Sequence, residues 1–202
     1  MDYEGLTMDD LANVAALNRA WLDSGNRQAG DERLPPAHIE RLAAVPFLLF
    51  SFREHDDRLW RRLLRDEPQA DLIEDAPFDD ANLRSLQVAG LAFLWDLVRR
   101  NPYVARIVSG ATLEWCDRLA RSTAAGLLCR AGHRRIICER FAADDVRLDR
   151  LRGCGASFDE ALREATQMSV LQSLLTQSRD ARYSPLPAVA RSLNSPHRKV
   201  AD

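Results

Sequence analysis

Lysine is almost absent from this chain of 202 residues: Lys199 stands alone beside 27 arginines. Arginine has taken over the general basic role, so a cluster of arginines says less about planar guanidinium chemistry than it usually would. Cysteine is also sparse. Cys116, Cys129, Cys138 and Cys154 include no C-x-x-C pair, and four thiols in so long a chain do not make a disulfide framework. Long apolar runs are missing too. The longest, Leu42 to Phe52, is too short to span a bilayer and is broken by Pro46 and Ser51. The opening residues, MDYEGLTMDD, are acidic, the reverse of a secretory leader, so a cytoplasmic protein with reduced thiols and no membrane contact is the expectation.

The familiar catalytic signatures are absent: no G-x-S-x-G, no H-E-x-x-H and no glycine loop of the phosphate-binding kind. No internal repeat occurs, and strand-like alternation never runs more than a few residues. What is present is charge with an uneven distribution. Net charge is only −2, yet residues 1–82 carry 18 acids against 9 arginines, while residues 99–152 carry 12 arginines against 6 acids. Such asymmetry can guide a polyanion to one face, or draw two parts of one protein together.

Helical signals follow one another along the chain. Thr7 with Asp10 forms a short capping box, and Leu11, Val14, Ala15, Leu17, Trp21 and Leu22 recur at helical spacing as far as Ser24–Gly25. Pro35 and Pro36 open a second helix, which Pro46 ends or kinks. The stretch from Phe47 to Glu67 reads as a third, with Leu59, Trp60, Leu63 and Leu64 as its later stripe. Residues 66–78 are acidic and hold two prolines, which marks a connector. Asp79 or Asp80 caps a helix rich in apolar residues from Leu83 to Val98. Asn101 and Pro102 start another, breaking at Ser109–Gly110 and again near Ser122–Thr123. Ala142–Arg152 is a short amphipathic helix, and Ser157 with Glu160 caps a last one through about Ser178. The predicted fold is all-α, a multi-helix orthogonal bundle: an N-terminal helical extension over 1–78, a main helical domain over 79–178, and a polar tail over 179–202.

Three side-chain groupings invite a functional reading. Cys129, His133, Cys138 and Cys154 are donors of the right type for zinc, but closely paired ligands are lacking and Cys129 sits in an apolar segment, so small buried hydrophobes describe them better. Glu54, His55, Asp56 and Asp57 are adjacent titratable groups. Neighbours on a helix point different ways, which favours a solvated turn over an acid–base site. No metal, cofactor or catalytic residue is therefore assigned. The third grouping is a basic flank around Ile136, Ile137 and Cys138, where Arg134, Arg135, Arg140, Arg147 and Arg150 are able to neutralise phosphates. Paired with nearby acids, the same arginines also make an ordinary solvated surface. Most of the tryptophan and phenylalanine reads as core, although the apolar surplus of the first 65 residues also fits a dimer seam or a partner groove.

From about Leu86 to Met168 the chain resembles FlhD, a subunit of the flagellar master transcriptional activator of bacteria. The resemblance rests on the long apolar helix QVAGLAFLWDLVRRN, the segment ARIVSG, Trp115 and Leu119, Leu127 and Leu128, the pair Ile136–Ile137 and the motif CERF. The register holds from Gln87 to Phe141 without a gap. It implies an all-helical homodimer whose later helices form a helix-turn-helix-like unit, acting with the zinc-containing partner FlhC on promoter DNA. It also implies that Cys138 lies at the dimer interface, and with it we expect Leu91, Leu94, Trp95 and Val98. The residues before 79 and the tail depart from that pattern. The expected function is a dimeric transcriptional regulator binding double-stranded DNA; the alternative is a dimeric adaptor or assembly protein that binds no DNA.

Overall fold

The computed structural model describes residues 5–28, 34–64, 80–142 and 144–177. Helix α1 (Met8–Gln28) starts where its capping box predicts. The Thr7 hydroxyl accepts from the Asp10 N–H at 3.1 Å, while the Asp10 carboxylate accepts from the Thr7 N–H at 3.1 Å. The helix runs past Ser24–Gly25, because one glycine without a following proline does not end a helix. Helix α2 (Pro36–Ala43) begins on its prolines as expected.

The next segment differs from the helix read over 47–67. Residues 47–56 are extended or turned: strand β1 (Phe50–Ser51) is followed by a turn in which Arg53 takes φ 54°, and only then does α3 (Asp57–Leu64) begin. The reason is physical. A continuous apolar run has no helical phase, and here it is buried from all sides, with Phe47, Leu48, Phe50 and Phe52 each fully inaccessible. The Trp60 indole N–H closes the turn by donating to the carbonyls of Phe52 and Arg53, at 3.1 and 3.0 Å.

Helix α4 (Ala81–Arg100) is capped by Asp80, whose carboxylate accepts from the N–H groups of Asn82 and Leu83. Asn101 caps α5 (Pro102–Ser109), which ends on Gly110 at φ 66°. Helices α6 (Leu113–Ala120) and α7 (Ala124–Ala131) follow. An extended passage then leads to strand β2 (Cys138–Glu139), which pairs antiparallel with β1, Phe50 opposite Glu139 and Ser51 opposite Cys138. Helix α8 (Val146–Gly153) starts on Asp145, later than the sequence pattern indicates. Helix α9 (Glu160–Gln177) is capped by Asp159, which accepts from Ala161 and Leu162 N–H; Ser157 accepts instead from Asp159 N–H. The expected Ser157–Glu160 box is therefore displaced by two residues.

About 70% of the described residues are helical, in nine helices with one two-stranded ribbon, so the chain is mostly helical. Helix α4 is the axis of the larger apolar cluster. Leu91, Leu94 and Leu97 share it with Val14 of α1, Phe50 and Phe52 of the ribbon arm, Trp60 of α3, and Trp115 and Leu127 of α6 and α7. A second cluster joins Leu42, Phe47, Phe141, Leu151 and Val170. Gly90 is required by this packing, since a Cβ there would lie 2.7 Å from the Phe52 ring. The expected divide at 78/79 falls in 65–79, outside the described residues, as does the 179–202 tail. Elements on both sides of 65–79 contribute to the larger cluster.

Two buried amides hold the non-helical passages. Asn18 of α1 donates to the carbonyls of Ala43 and Phe47, at 3.2 and 2.9 Å, and accepts from Leu49 N–H at 2.8 Å. Gln87 of α4 donates to the carbonyls of Ala131 and Arg134, at 2.6 and 2.7 Å, and accepts from Ile136 and Ile137 N–H at 2.8 and 2.9 Å. Both side chains are fully buried. Gln87→Met keeps the shape and removes all four bonds, leaving buried peptide groups without partners. Urea unfolding should show a loss of about 3 kcal/mol or more, against a near-neutral Asn82→Ala on the exposed start of α4.

Candidate nucleic-acid interface

Two short helices, α6 and α7, stand at the centre of the stretch rich in arginine. Each helix has eight residues, and they are joined by residues 121–123. Both begin on a threonine cap: Thr112 accepts from Trp115 N–H at 3.1 Å, and Thr123 from Gly126 N–H at 3.2 Å. Their inward faces, Trp115, Cys116 and Leu119 on α6 and Leu127 and Ala131 on α7, are buried against α4 and α3. The turn between them is fixed from α4. The Trp95 indole donates to the Ser122 carbonyl at 2.9 Å, and Arg99 lies over the Trp95 ring at 4.8 Å. Outward, α7 presents Ala125 and Cys129, both exposed and small.

The five arginines singled out from the sequence do not share one surface. Arg140 turns inward, with 6% of its side chain exposed. It donates from Nε and Nη2 to the Phe50 carbonyl, at 3.0 and 2.7 Å, and approaches Glu54 at 3.4 Å. Glu54 in turn accepts from the Ser51 hydroxyl. Burial draws the Arg140 pKa below its ordinary value, and Glu54 opposes that pull. A guanidinium so enclosed reaches no phosphate; it ties β1 to the chain after β2. Arg147 is engaged as well. It binds the Asp145 carboxylate through Nε at 2.9 and 3.0 Å and lies 5.4 Å over the Phe141 ring. Arg135 and Arg150 are exposed, and Arg134 is half-buried near the carbonyl that Gln87 holds. Arg134 and Arg135 follow α7, whereas Arg150 belongs to α8.

The residues expected at a dimer interface are placed differently again. Leu91 and Leu94 have no exposed surface and Val98 has 2%, because all three fill the chain's own core. They offer a second copy nothing to bind. Trp95 is half-buried on the Ser122 carbonyl, and Cys138 is half-buried in β2 opposite Ser51. An apolar arc wider than one stripe is satisfied here by neighbours on several sides within one chain.

The remaining groupings are dispersed. Cys129 is exposed on α7, Cys138 lies in the ribbon and Cys154 at the end of α8; among the described residues no three His, Cys, Asp or Glu side chains are placed to hold a metal ion. Glu54 is buried with Arg140, His55 is exposed, Asp56 accepts from Leu59 N–H at the start of α3, and Asp57 pairs with Arg118 at 2.5 Å. Sequence inspection missed Asn18 and Gln87. Their signal was a polar side chain in phase with a buried stripe, Asn18 four residues after Val14 and Gln87 four before Leu91. No helix among the described residues is long and apolar enough to cross a membrane.

Asp145 gives a pH test of this geometry. The hydrogen bond from Arg147 holds its carboxyl below the ordinary carboxylate range, and the same pairing raises Arg147. A depressed folded-state pKa contributes stability above the unfolded value of about 3.9, which is lost as pH falls through the folded pKa. Asp145→Asn keeps a good cap for α8 but loses the charge. Its urea midpoint should therefore fall less than the parent's between about pH 5 and about pH 2. Comparison with protein-family models, with curated proteins and with solved structures finds no match for this chain.

Proposed function

We propose that the protein is a regulatory protein of FlhD-like type that meets double-stranded DNA through the α6–α7 pair, in company with a second protein. The observation that carries the reading is the pair itself: two eight-residue helices on threonine caps, joined by three residues and fixed by Trp95 of α4. Helical pairs of this size present a second helix to the major groove in many DNA-binding proteins. With Arg140 and Arg147 set aside, residues 99–152 still hold ten arginines against six acids, which supports the same direction. Exposed Arg121 lies in the turn of the pair and exposed Arg135 follows it, with Arg134 beside Arg135.

On this reading, the outer face of α7 governs the kind of contact made. Ala125 and Cys129 let the helix approach a groove closely, but neither is a guanidinium or amide that reads a base edge. Binding is then mostly to phosphates, strongly salt-dependent and weakly sequence-selective, with selectivity left to a partner of the FlhC kind or to DNA shape. Arg140 and Arg147 take no part in this proposal. A homodimer seam through Leu91, Leu94 and Val98 is likewise left aside, because those side chains fill the chain's own core.

A second reading, an adaptor that meets only protein, is favoured by one observation. An open cleft of about 580 Å³ lies between α1 and α4, floored by Leu17, Leu86 and Phe93 and rimmed by Ala16, Ala20 and Ala89 together with the polar Asn13, Asp23, Asn82 and Ser85. Small rim residues of this kind allow an incoming helix to sit close.

Fluorescence anisotropy with a labelled duplex separates the two. The parent should bind at about 50 mM salt, with log K falling steeply as log [salt] rises. Arg134→Ala with Arg135→Ala should weaken binding uniformly across duplex sequences and reduce the salt slope by about one per lost contact. A parent that fails to bind any duplex at low salt removes the DNA reading and leaves the adaptor.

A further inference from the structure

Helix α3 lies outside the stretch that carries the FlhD resemblance, yet it packs directly on the α6–α7 pair. Trp60 of α3 and Trp115 of α6 meet edge to face, centroids 5.1 Å apart and planes at 89°. Asp57 at the head of α3 pairs with Arg118 of α6 at 2.5 Å. With Leu59, Trp60 and Leu63 turned into the core, the outward face of α3 is Arg58, Arg61 and Arg62, all exposed at i, i+3 and i+4. Residues 57–64, 113–121 and 122–135 together hold eight arginines and three acids. Replacement of lysine by arginine across the chain changes the kind of cation, not where positive charge accumulates. The accumulation is therefore informative where the guanidinium is not.

One acid bears on the balance. Asp57 lies between Arg118 and Arg61, the latter at 3.7 Å, so a single carboxylate serves two cations from two helices. It fixes α3 against α6 and still leaves the joint edge with a positive surplus. Both ends of that pairing are partly solvent-exposed, so salt weakens it and the arginines remain able to exchange partners.

We infer that α3 supplies the second half of a phosphate-binding edge shared with α6 and α7, with Arg58, Arg61 and Arg62 contacting the backbone of the duplex that the helical pair engages. This rests on the DNA reading above and extends it to an element the family resemblance does not include. A run of phosphates rising about 3.4 Å per nucleotide along the duplex axis suits a turn of helix bearing three long cationic arms, whereas an isolated carboxylate on a protein partner needs only one.

The test is the salt dependence of duplex affinity for the full chain, measured by anisotropy on three proteins: the parent, Arg58→Gln/Arg61→Gln/Arg62→Gln, and Arg58→Lys/Arg61→Lys/Arg62→Lys. Circular dichroism melting confirms that each folds. The expected result is a slope of log K against log [salt] lower by about two to three for the glutamine variant and close to the parent's for the lysine variant. An unchanged slope in the glutamine variant, with the parent binding normally, overturns the α3 inference and leaves the DNA reading standing. An equal loss in the lysine variant also overturns it, since the effect would then be one of packing. A parent that binds no duplex overturns both.

Discussion

Peptide groups inside an apolar core need partners, and that constraint decides how this molecule is put together. Two passages of the chain, 44–49 and 132–137, run through the interior without being helical. Each unpaired N–H or C=O there costs about 1–3 kcal/mol. Asn18 and Gln87 supply the missing partners from inside α1 and α4, between them satisfying four carbonyls and three N–H groups. The two amides thereby set where each passage lies. Beyond them the passages become β1 and β2, and Arg140 holds the pair at its far corner through the Phe50 carbonyl and Glu54. Gly110 completes that corner: a Cβ there would lie 2.7 Å from the Arg140 guanidinium, and its φ of 66° is a conformation glycine adopts without strain.

The consequence for the proposed phosphate-binding edge runs through α3. With the β1 arm fixed by Asn18, the turn at Arg53 is closed by Trp60, and Trp60 in turn lies against Trp115. The placement of Arg58, Arg61 and Arg62 beside α6 and α7 thus depends on a chain of contacts that starts at a buried asparagine. Rigidity of this kind matters for a surface that binds phosphates, because long cationic side chains on a fixed helix lose less freedom on binding than the same side chains on a loop.

Much of the helical framework was legible in the sequence because its signals are local. Thr7 with Asp10, Asp80, Asn101 with Pro102 and Gly110 each mark a boundary within one turn of the chain, and each boundary occurs where it was read. What failed depended on distant residues. The run from Phe47 carries no phase of its own, and its extended form is chosen by Asn18, some thirty residues upstream. The Ser157 cap lost to Asp159 because two competent capping residues stood two apart. Charge pattern alone also misplaced Arg140 and Arg147. Nothing local distinguishes an arginine that donates to a buried carbonyl from one that faces water. Nor does a wide apolar arc say whether the chain's own core or a second copy covers it, and here the core covers Leu91, Leu94 and Val98.

The most direct measurement is native-state amide hydrogen exchange at the N–H groups of Leu49, Ile136 and Ile137, the three that the buried amides accept from. If Asn18 and Gln87 organise the fold, these three exchange only through global unfolding, as slowly as the N–H groups in the middle of α4. Exchange at rates typical of surface loops, with α4 still protected, would contradict the account.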